Sequence, residues 1–304
     1  MNPEAMKILV VGDIMLDKYV EGDITRISPE APVAIVEVKN EYHTLGGAGN
    51  VVRNLRELGC QVDCLASIGV DIDGEIIKNE VKSIGANSLL FYGSKQTTVK
   101  ERIIASERKV QMLRIDRENT TEISPHKSLE IFKHCCRDNY NMIIVSDYAK
   151  GMISQGLMEF LKHEQNADII VDPKPKNAGI YNGVFMITPN EKEWQQMSFS
   201  SPYTLKNVKF ILETKGSKGM KLIDNTNNQV NEIPSDEVQV YNVSGCGDVV
   251  VAVMSVCLGM SLDPVTSAKI ANKCAGYTAS LPGTSVIPKN KFTQYLNSVI
   301  GGYI

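Results

Sequence analysis

A series of short apolar segments, each ending in a cluster of polar residues, limits this chain to a small set of folds. Three such segments and their polar ends are Met142–Val145 with Ser146–Gly151, Asp168–Val171 with Asp172–Lys174, and Val184–Ile187 with Thr188–Glu193. Segments of helical length, Pro125–Asn139 and Gln155–Glu164, alternate with them. The alternation predicts an α/β fold with a doubly wound, mainly parallel sheet, because parallel strands need helical crossovers. The polar clusters should then meet at the carboxyl edge of the sheet, where such folds bind ligands.

The N-terminal segment Met6–Val11 predicts a further buried strand of the same sheet. Two carboxylates, Asp13 and Asp17, follow it closely. Carboxylates beyond the end of such a strand are suited to accept hydrogen bonds from sugar hydroxyls. A simple turn formed by both side chains is the alternative interpretation.

A second, smaller sheet is predicted from segments that no helix separates from their neighbours. Its strands are Val33–Val38, Thr97–Ile104 and Val110–Ile115. We expect it to project from the main sheet as a lid formed by about residues 20–44 and 97–116, within a single domain that spans residues 1–304. Lys100 and Arg102 alternate onto one face of this lid, where a solvated surface is the simpler interpretation.

Two glycine-rich turns each precede a predicted helix. The first, Leu45–Asn50, contains Gly46 and Gly47, and the following helix turns Val51, Val52, Leu55 and Leu58 inward. Glycines at such a turn allow a ligand to approach the backbone closely, and the Asn50 amide can both donate to and accept from a sugar. The second turn runs from Asn242 to Asp248.

In this second turn, Gly245, Cys246 and Gly247 lead directly into a helix-length apolar run. Free backbone N–H groups and the positive end of the helix dipole make such a start an anion site. A carboxylate there does not attract the anion, so Asp248 is predicted to accept a proton from a hydroxyl that attacks a bound phosphoryl group. An ordinary helix start with an acidic residue in its first turn is the alternative.

Further polar residues mark a predicted nucleotide side of the sheet edge. Asn190 and Glu193 lie three residues apart at a helix start, so they face the same way and could hold hydrated Mg²⁺. The strand Val208–Glu213 ends in the turn Thr214–Gly219, against which a nucleotide could lie.

Composition excludes several other classes of protein. The chain has 304 residues, 43% of them hydrophobic, and a net charge of −3. The slight acidity argues against nucleic-acid binding, which needs clustered Lys and Arg. No apolar run approaches the roughly 18 residues of a membrane span. The seven cysteines are scattered without metal-ligand spacing, which favours a reduced, cytoplasmic protein.

Together these motifs resemble the ribokinase-type (PfkB) family of sugar kinases. The resemblance rests on Leu45–Asn50, Asn190–Glu193 and Gly245–Asp248, which stand in the family's order and spacing. It implies a ribokinase-like fold with a β lid, and ATP and Mg²⁺ as cofactors. It implies that Asp248 is the base, beside an anion hole formed by Gly245, Cys246 and Gly247, and that the sugar is bound by Asp13, Asp17, Gly46, Gly47 and Asn50. The nucleotide would be bound by Lys174, Asn190, Glu193, Thr214, Gly216, Gly219 and Asn272. Glu193 would also bind Mg²⁺ through water.

Within the family, the chain is similar to the kinases that act on heptose 7-phosphate. The run Arg26–Val33 is the most specific part of this similarity. It implies that a sugar phosphate is the substrate, that Lys100 and Arg102 contact its phosphate, and that two chains pair through their lids. A kinase for another sugar and a non-catalytic regulator of the same fold are the alternatives.

Three features depart from the family pattern. Asn242 stands where the family has Asp, which puts its monovalent-cation site in doubt. Cys246 replaces the usual Ala, and the helix N-terminus there is expected to lower the pKa of its thiol unless the side chain points into the core. The stretch Trp194–Lys206 is shorter than in the family, which predicts that a helix is missing or trimmed.

Overall fold

The computed structural model describes residues 2–93, 96–107, 109–124, 139–164, 166–200 and 204–301. In these ranges the chain forms a large, mostly parallel sheet, a smaller separate sheet and helices that cover the large sheet. This arrangement confirms the predicted α/β fold. The predicted helix over Pro125–Asn139 lies outside the described residues up to position 138.

The large sheet contains ten strands within the described ranges. In spatial order they are β14 (Gln229–Ile233), β13 (Met220–Asp224), β12 (Phe210–Thr214), β11 (Met186–Ile187), β10 (Asp168–Asp172), β9 (Met142–Ser146), β1 (Lys7–Gly12), β4 (Gln61–Ile68) and β5 (Asn87–Ser88), with β6 (Phe91–Tyr92) also paired to β4. Pairing is parallel from β12 through β5, and β13 and β14 add an antiparallel edge. The carboxyl ends of the parallel strands therefore meet at one edge, as the sequence predicts.

The lid sheet has the order β3 (Ala34–Gly47), β2 (Ile14–Ile27), β7 (Val99–Ala105) and β8 (Val110–Arg117). The predicted antiparallel pair of β7 and β8 is present. The sequence predicts only a short part of β3 and does not predict β2. The outer half of β3 is exposed on most positions, so burial imposes no apolar alternation there that would mark it as a strand.

Helices pack on both faces of the large sheet. They are α1 (Ala48–Glu57), α2 (Ile72–Ser83), α3 (Gln155–Glu164), α4 (Glu191–Ser200), α5 (Cys246–Gly259), α6 (Pro264–Ala279) and α7 (Lys289–Ile300), with short 3₁₀ helices at Pro3–Ala5, Pro175–Ile180, Thr204–Asn207 and Gly216–Lys218. Strand β1 alternates between the two cores: Ile8 and Val10 pack with α1 and α5, and Leu9 packs with α3. None of the helices in the described ranges is long and apolar enough to cross a membrane.

Two helices, α5 and α4, carry predicted site residues in their first turns. Residues Val249 to Cys257 of α5 are all buried, as expected for a helix that is apolar all round. The core therefore holds the start of α5 rigidly at the carboxyl edge of the sheet. For the stretch Trp194–Lys206 the sequence predicts a missing or trimmed helix. There α4 continues to Ser200 and packs Trp194 and Met197 into the core beside α3, and among the described residues only the short 3₁₀ helix Thr204–Asn207 follows it before β12.

Candidate active site

The start of α5 forms the centre of the site. Gly245 precedes the helix with φ +83° and ψ 0°, a left-handed conformation that favours glycine. A Cβ atom at Gly245 would lie 2.6 Å from Asn50 Nδ2 and 2.8 Å from Thr284 Cγ2, so space also requires glycine here. At Gly247 a Cβ would meet nothing within 4 Å. The first N–H groups of α5 therefore border open space at the sheet edge, as an anion site requires.

Asp248 lies in the first turn of α5 and is only 4% exposed. Its Oδ2 accepts a hydrogen bond from Asn50 Nδ2 at 2.7 Å, and its Oδ1 accepts one from the Tyr148 hydroxyl at 3.1 Å. Burial raises the pKa of Asp248 to about 6, against the opposing effect of these two hydrogen bonds. The side chain is thus an oriented carboxylate whose pKa is close to physiological pH, as a general base needs.

The Asn50 amide is itself held in one orientation. Arg53 Nη1 donates to Asn50 Oδ1 at 3.1 Å and to the Thr284 carbonyl at 3.3 Å. With its oxygen occupied by Arg53, Asn50 must turn its NH₂ group toward Asp248. Asn50 is fully buried, so in this structure its amide holds the Asp248 carboxylate in place.

Asp17 and the first glycine pair lie together at the base of the lid. The Asp17 carboxylate on β2 is almost buried and pairs with Arg102 Nη1 of β7 at 2.6 Å. A Cβ at Gly46 would lie 2.5 Å from Asp17 Oδ2, so glycine at this position leaves room for the carboxylate. Gly47, with φ +57°, turns the end of β3 into α1. Asp17 is therefore placed beside the turn from which Asn50 projects.

Asp13 has a different environment. Its Oδ2 accepts backbone N–H groups of Tyr148 at 2.8 Å and Lys150 at 3.0 Å, and its Oδ1 accepts that of Met152 at 3.1 Å. Burial and then the neighbouring Asp147 raise the pKa of Asp13 to about 6. These contacts make the Asp13 carboxylate an anchor for the turn after β9. The Asp13 carbonyl lies beside Gly47, but the carboxylate beside the glycine pair is that of Asp17.

On the predicted nucleotide side, Asn190 and Glu193 cap the start of α4 reciprocally. Glu193 N–H donates to Asn190 Oδ1, and Asn190 N–H donates to Glu193 Oε2, each at 3.0 Å. The other Glu193 oxygen pairs with Lys174 Nζ. Because both oxygens have partners, Glu193 fits a metal held through water better than one bound directly. The described residues contain no group of three or more His, Cys, Asp or Glu side chains placed to hold a metal ion.

The other nucleotide candidates meet around the segment that follows β14. A Cβ at Gly219, where φ is +90°, would lie 2.1 Å from the Ile233 carbonyl, and Asn272 Nδ2 donates to the Pro234 carbonyl at 2.8 Å. Both residues thus hold this segment in place. Gly216 also has a positive φ of +57° but has open space around it, and Thr214 is half-buried at the end of β12.

Tyr148, for which the sequence predicts no role, contacts three parts of the site. Its hydroxyl reaches Asp248, and its ring centroid lies 5.5 Å from Lys100 Nζ and 5.1 Å from Lys174 Nζ. In the part of the chain that the structure describes, no carboxylate lies within ion-pair distance of Lys100, and burial lowers its pKa. The only sequence signal for Tyr148 is its place in the polar cluster after β9.

The family of the chain follows from the match of its sequence to known proteins. Residues 5–290 match the model of the pfkB family of carbohydrate kinases. The chain belongs to this family. The pfkB-family assignment makes the protein a carbohydrate kinase, and kinases of this family use ATP and a divalent metal.

Curated relatives share about a third of their residues with this pfkB-family kinase. The bifunctional protein HldE of Helicobacter hepaticus is 35% identical over 98% of the chain, and that of Desulfatibacillum aliphaticivorans is 36% identical over 95%. The chain spans 65% and 63% of these two proteins. It is thus similar to somewhat less than two thirds of each relative.

Solved structures show the same fold. Phosphofructokinase-2 from Escherichia coli, in a complex with potassium, has a TM-score of 0.79 and 14% identity, covering 97% of this chain and 99% of its own. Ribokinase from Thermotoga maritima has a TM-score of 0.70 and 19% identity, covering 96% and 99%. These neighbours confirm the ribokinase-like fold predicted for the pfkB-family kinase.

Two departures from the family pattern have structural outcomes. Burial raises the pKa of Cys246, contrary to the expected lowering, because the thiol turns toward α6, with its Sγ 3.8 Å from the Ala275 carbonyl. Desolvation is the main cause and the nearby Asp248 adds to it, while a hydrogen bond with Thr278 acts in the opposite direction. Asn242 Oδ1 accepts the Ser244 N–H at 2.8 Å, so this amide closes a local turn in the pfkB-family kinase.

Proposed function

We propose that this carbohydrate kinase transfers the γ-phosphoryl group of ATP to the anomeric hydroxyl of D-glycero-D-manno-heptose 7-phosphate. The product would be the 1,7-bisphosphate, used for ADP-heptose, lipopolysaccharide or a related glycan. Relatives named HldE at about 35% identity support the heptose assignment, as does the resemblance of Arg26–Val33 to heptose kinases. The proposal concerns the kinase step, because the chain spans only part of these bifunctional relatives.

The observation that carries the proposal is the oriented, buried carboxylate at the start of α5. Asp248 would take the proton of the attacking hydroxyl, while the N–H groups of Gly245, Cys246 and Gly247 would stabilise the charge on the transferred phosphoryl group. The bond between the γ-phosphorus and the bridging oxygen breaks, and its electron pair leaves with ADP. A bound Mg²⁺ would neutralise phosphate charge, held through water near Glu193.

The substrates would approach Asp248 from two sides. Asp17, Gly46, Gly47 and Asn50, with Asp13 supporting the turn behind them, would bind the sugar under the lid. Lys174, Asn190, Thr214, Gly216, Gly219 and Asn272 would line the nucleotide site. Arg102 is paired with Asp17, whereas Lys100 has no carboxylate partner among the described residues. Lys100 is therefore the stronger of the two candidates for the sugar phosphate, because no carboxylate at ion-pair distance competes with the phosphate for it.

Turnover of ATP with a panel of sugars and sugar phosphates tests this assignment. We expect heptose 7-phosphate to exceed ribose, fructose and unphosphorylated heptose in kcat/KM. Lys100→Met should lower kcat/KM for heptose 7-phosphate by about 10- to 100-fold, as expected when a charged hydrogen bond to phosphate is lost. The matched control is Lys109→Met, which removes a lid lysine that pairs with Glu21 at 2.8 Å.

The two variants differ in what they remove. Lys109→Met takes away an exposed ion pair, so its kcat/KM should stay close to that of the wild type. Equal turnover of phosphorylated and unphosphorylated heptose by the wild type would contradict the heptose phosphate assignment. Equal losses of kcat/KM in both variants would show that Lys100 has no specific role in phosphate binding.

The lid is also a proposed interface between two copies of the chain. Its outer part exposes large apolar side chains, among them Ile27 at 63%, Val38 at 51% and Leu113 at 56%. Apolar side chains grouped on one projecting sheet are typical of a surface that another protein covers. Sedimentation equilibrium should report a dimer, and an Ile27→Lys, Leu113→Lys double variant should be monomeric. A monomeric wild type would contradict this interface.

A further inference from the structure

The turn that carries Tyr148 is held at several points. The three N–H groups that donate to Asp13 fix its backbone between Tyr148 and Met152. Asp147, which is fully buried, accepts the Ala149 N–H at 2.6 Å, and Ala149 has a φ of +55°. A residue other than glycine adopts this conformation only when its surroundings impose it. The turn therefore places the Tyr148 side chain at a fixed position.

From this turn, Tyr148 donates to one oxygen of Asp248 while Asn50 donates to the other. The two donors belong to different elements: Tyr148 follows β9, and Asn50 lies on α1. A carboxylate held at both oxygens by different elements cannot rotate without breaking one contact. Each oxygen keeps a second lone pair for a further donor.

We propose that Tyr148 is a positioning residue of the kinase: its hydroxyl holds the Asp248 carboxylate in the orientation that receives the proton of the sugar hydroxyl. This inference rests on the proposed role of Asp248 as the base. In the reaction the proton moves to Asp248, the sugar oxygen bonds to the γ-phosphorus, and ADP leaves with the electron pair. Tyr148 keeps its own proton, because burial holds its pKa well above the ordinary value.

The hydrogen bond from Tyr148 also favours the charged form of Asp248. Around this carboxylate, burial and Asp17 of the lid raise the pKa, while Asn50, Tyr148 and Lys174 lower it. Among the described residues, Arg53 on α1, Asp172 on β10 and Cys246 on α5 also interact electrostatically with Asp248. Loss of the Tyr148 hydroxyl leaves all of these in place, so its effect on the pKa should be an increase.

The pH dependence of kcat/KM for the sugar substrate tests this inference. The wild type should lose activity as pH falls through the pKa of Asp248. Tyr148→Phe should shift this acid limb, the part of the pH profile where kcat/KM falls at low pH, to a pH about one unit higher. It should also lower kcat by about tenfold, with the KM for ATP little changed. Because the phenyl ring remains, its contacts with Lys100 and Lys174 should persist.

Tyr181→Phe is the matched control. It also removes a tyrosine hydroxyl that donates to a buried Asp in the same turn, since Tyr181 Oη lies 2.6 Å from Asp147 Oδ2. It does not touch Asp248, so it should lower the melting temperature and leave the acid limb in place. An equal displacement of the acid limb in both variants would assign the effect to the turn and overturn the inference.

A second variant covers the case in which Tyr148→Phe does not fold. 3,5-Difluorotyrosine placed at position 148 keeps the shape of the ring and makes the phenol a stronger donor, so the acid limb should move to lower pH. An unmoved limb in this variant, or an unmoved limb and unchanged kcat in folded Tyr148→Phe, overturns the inference. Asp248→Asn is measured in parallel: if it retains wild-type kcat, the base assignment itself fails.

Discussion

Replacement of Asp248 by Asn separates the chemistry of this carboxylate from its place in the fold. The carboxylate accepts one hydrogen bond from Asn50 and one from Tyr148. An amide can keep both contacts, because its oxygen can accept from Asn50 and its NH₂ group can donate to the phenol oxygen. The variant should therefore fold and bind both substrates, but lose about 10²–10⁴ in kcat with the general base.

The same substitution should stabilise the protein at pH 8. Burial raises the pKa of Asp248 from its ordinary value of 3.8 to about 6, a difference that corresponds to about 3 kcal/mol. Because the raised pKa makes the folded state bind more protons, the free energy of unfolding falls as pH rises from about 4 to about 6 and stays lowered above that. Asn has no charge, so the free energy of unfolding of the variant is not lowered in this way at pH 8.

Calorimetric melting of the wild type and Asp248→Asn at pH 5 and pH 8 measures the effect. A gain of 1–3 kcal/mol should raise the melting temperature by roughly 2–4 °C per kcal/mol, and the gain should shrink at pH 5. Asp263→Asn is a control of opposite sign: burial raises the pKa of Asp263, but hydrogen bonds from Thr266 and Val265 outweigh it and lower that pKa. A lower melting temperature of Asp248→Asn at pH 8 would refute the burial argument, and an unchanged kcat would refute the base.

Two further substitutions test the rest of the site. In Gly46→Ala the new Cβ would lie 2.5 Å from Asp17 Oδ2, so the carboxylate must move. Steady-state kinetics should then show the KM for the sugar raised by about 10- to 100-fold, with the KM for ATP unchanged. An unchanged KM for the sugar would show that Asp17 does not bind it. Cys246→Ala should keep wild-type kcat, and iodoacetamide should inactivate the wild type slowly, because the thiol is packed toward α6 and its pKa is raised. Fast inactivation of the wild type that Cys246→Ala abolishes would show an accessible thiolate instead.

The sequence predicts the elements whose burial is regular and misses those in which it is not. Helix α3 has both ends where the sequence places them, Gln155 and Glu164, because an apolar face alternates with a polar one. Strand β2 begins with three buried apolar residues, Ile14 to Leu16, but then carries Asp17, Lys18 and Glu21, so no apolar alternation marks it as a strand. It is stabilised by backbone pairing with β3, which follows it in the chain, and with β7, which lies far away in the sequence.

The same distinction applies to the site. Gly245 and Gly47 can be recognised from the sequence because each precedes a helix with a positive φ, which favours glycine whatever the tertiary contacts are. The contact of Tyr148 with Asp248 joins residues that are 100 positions apart, and no local pattern encodes it. The direction of the Cys246 side chain is likewise set by packing against α6, which the motif alone does not contain.

The two longest strands of the lid enter the core without an intervening loop. β2 begins directly after Asp13, and β3 ends at Gly47, where α1 starts. Leu16 and Leu45 anchor their inner ends in the core, while Ile27 and Val38 are exposed on their outer parts. A shift at the outer part is therefore transmitted along continuous backbone to Asp17 and Gly46. During evolution, the outer surface of the lid and the fit of the sugar pocket cannot diverge independently, because the same two strands form both.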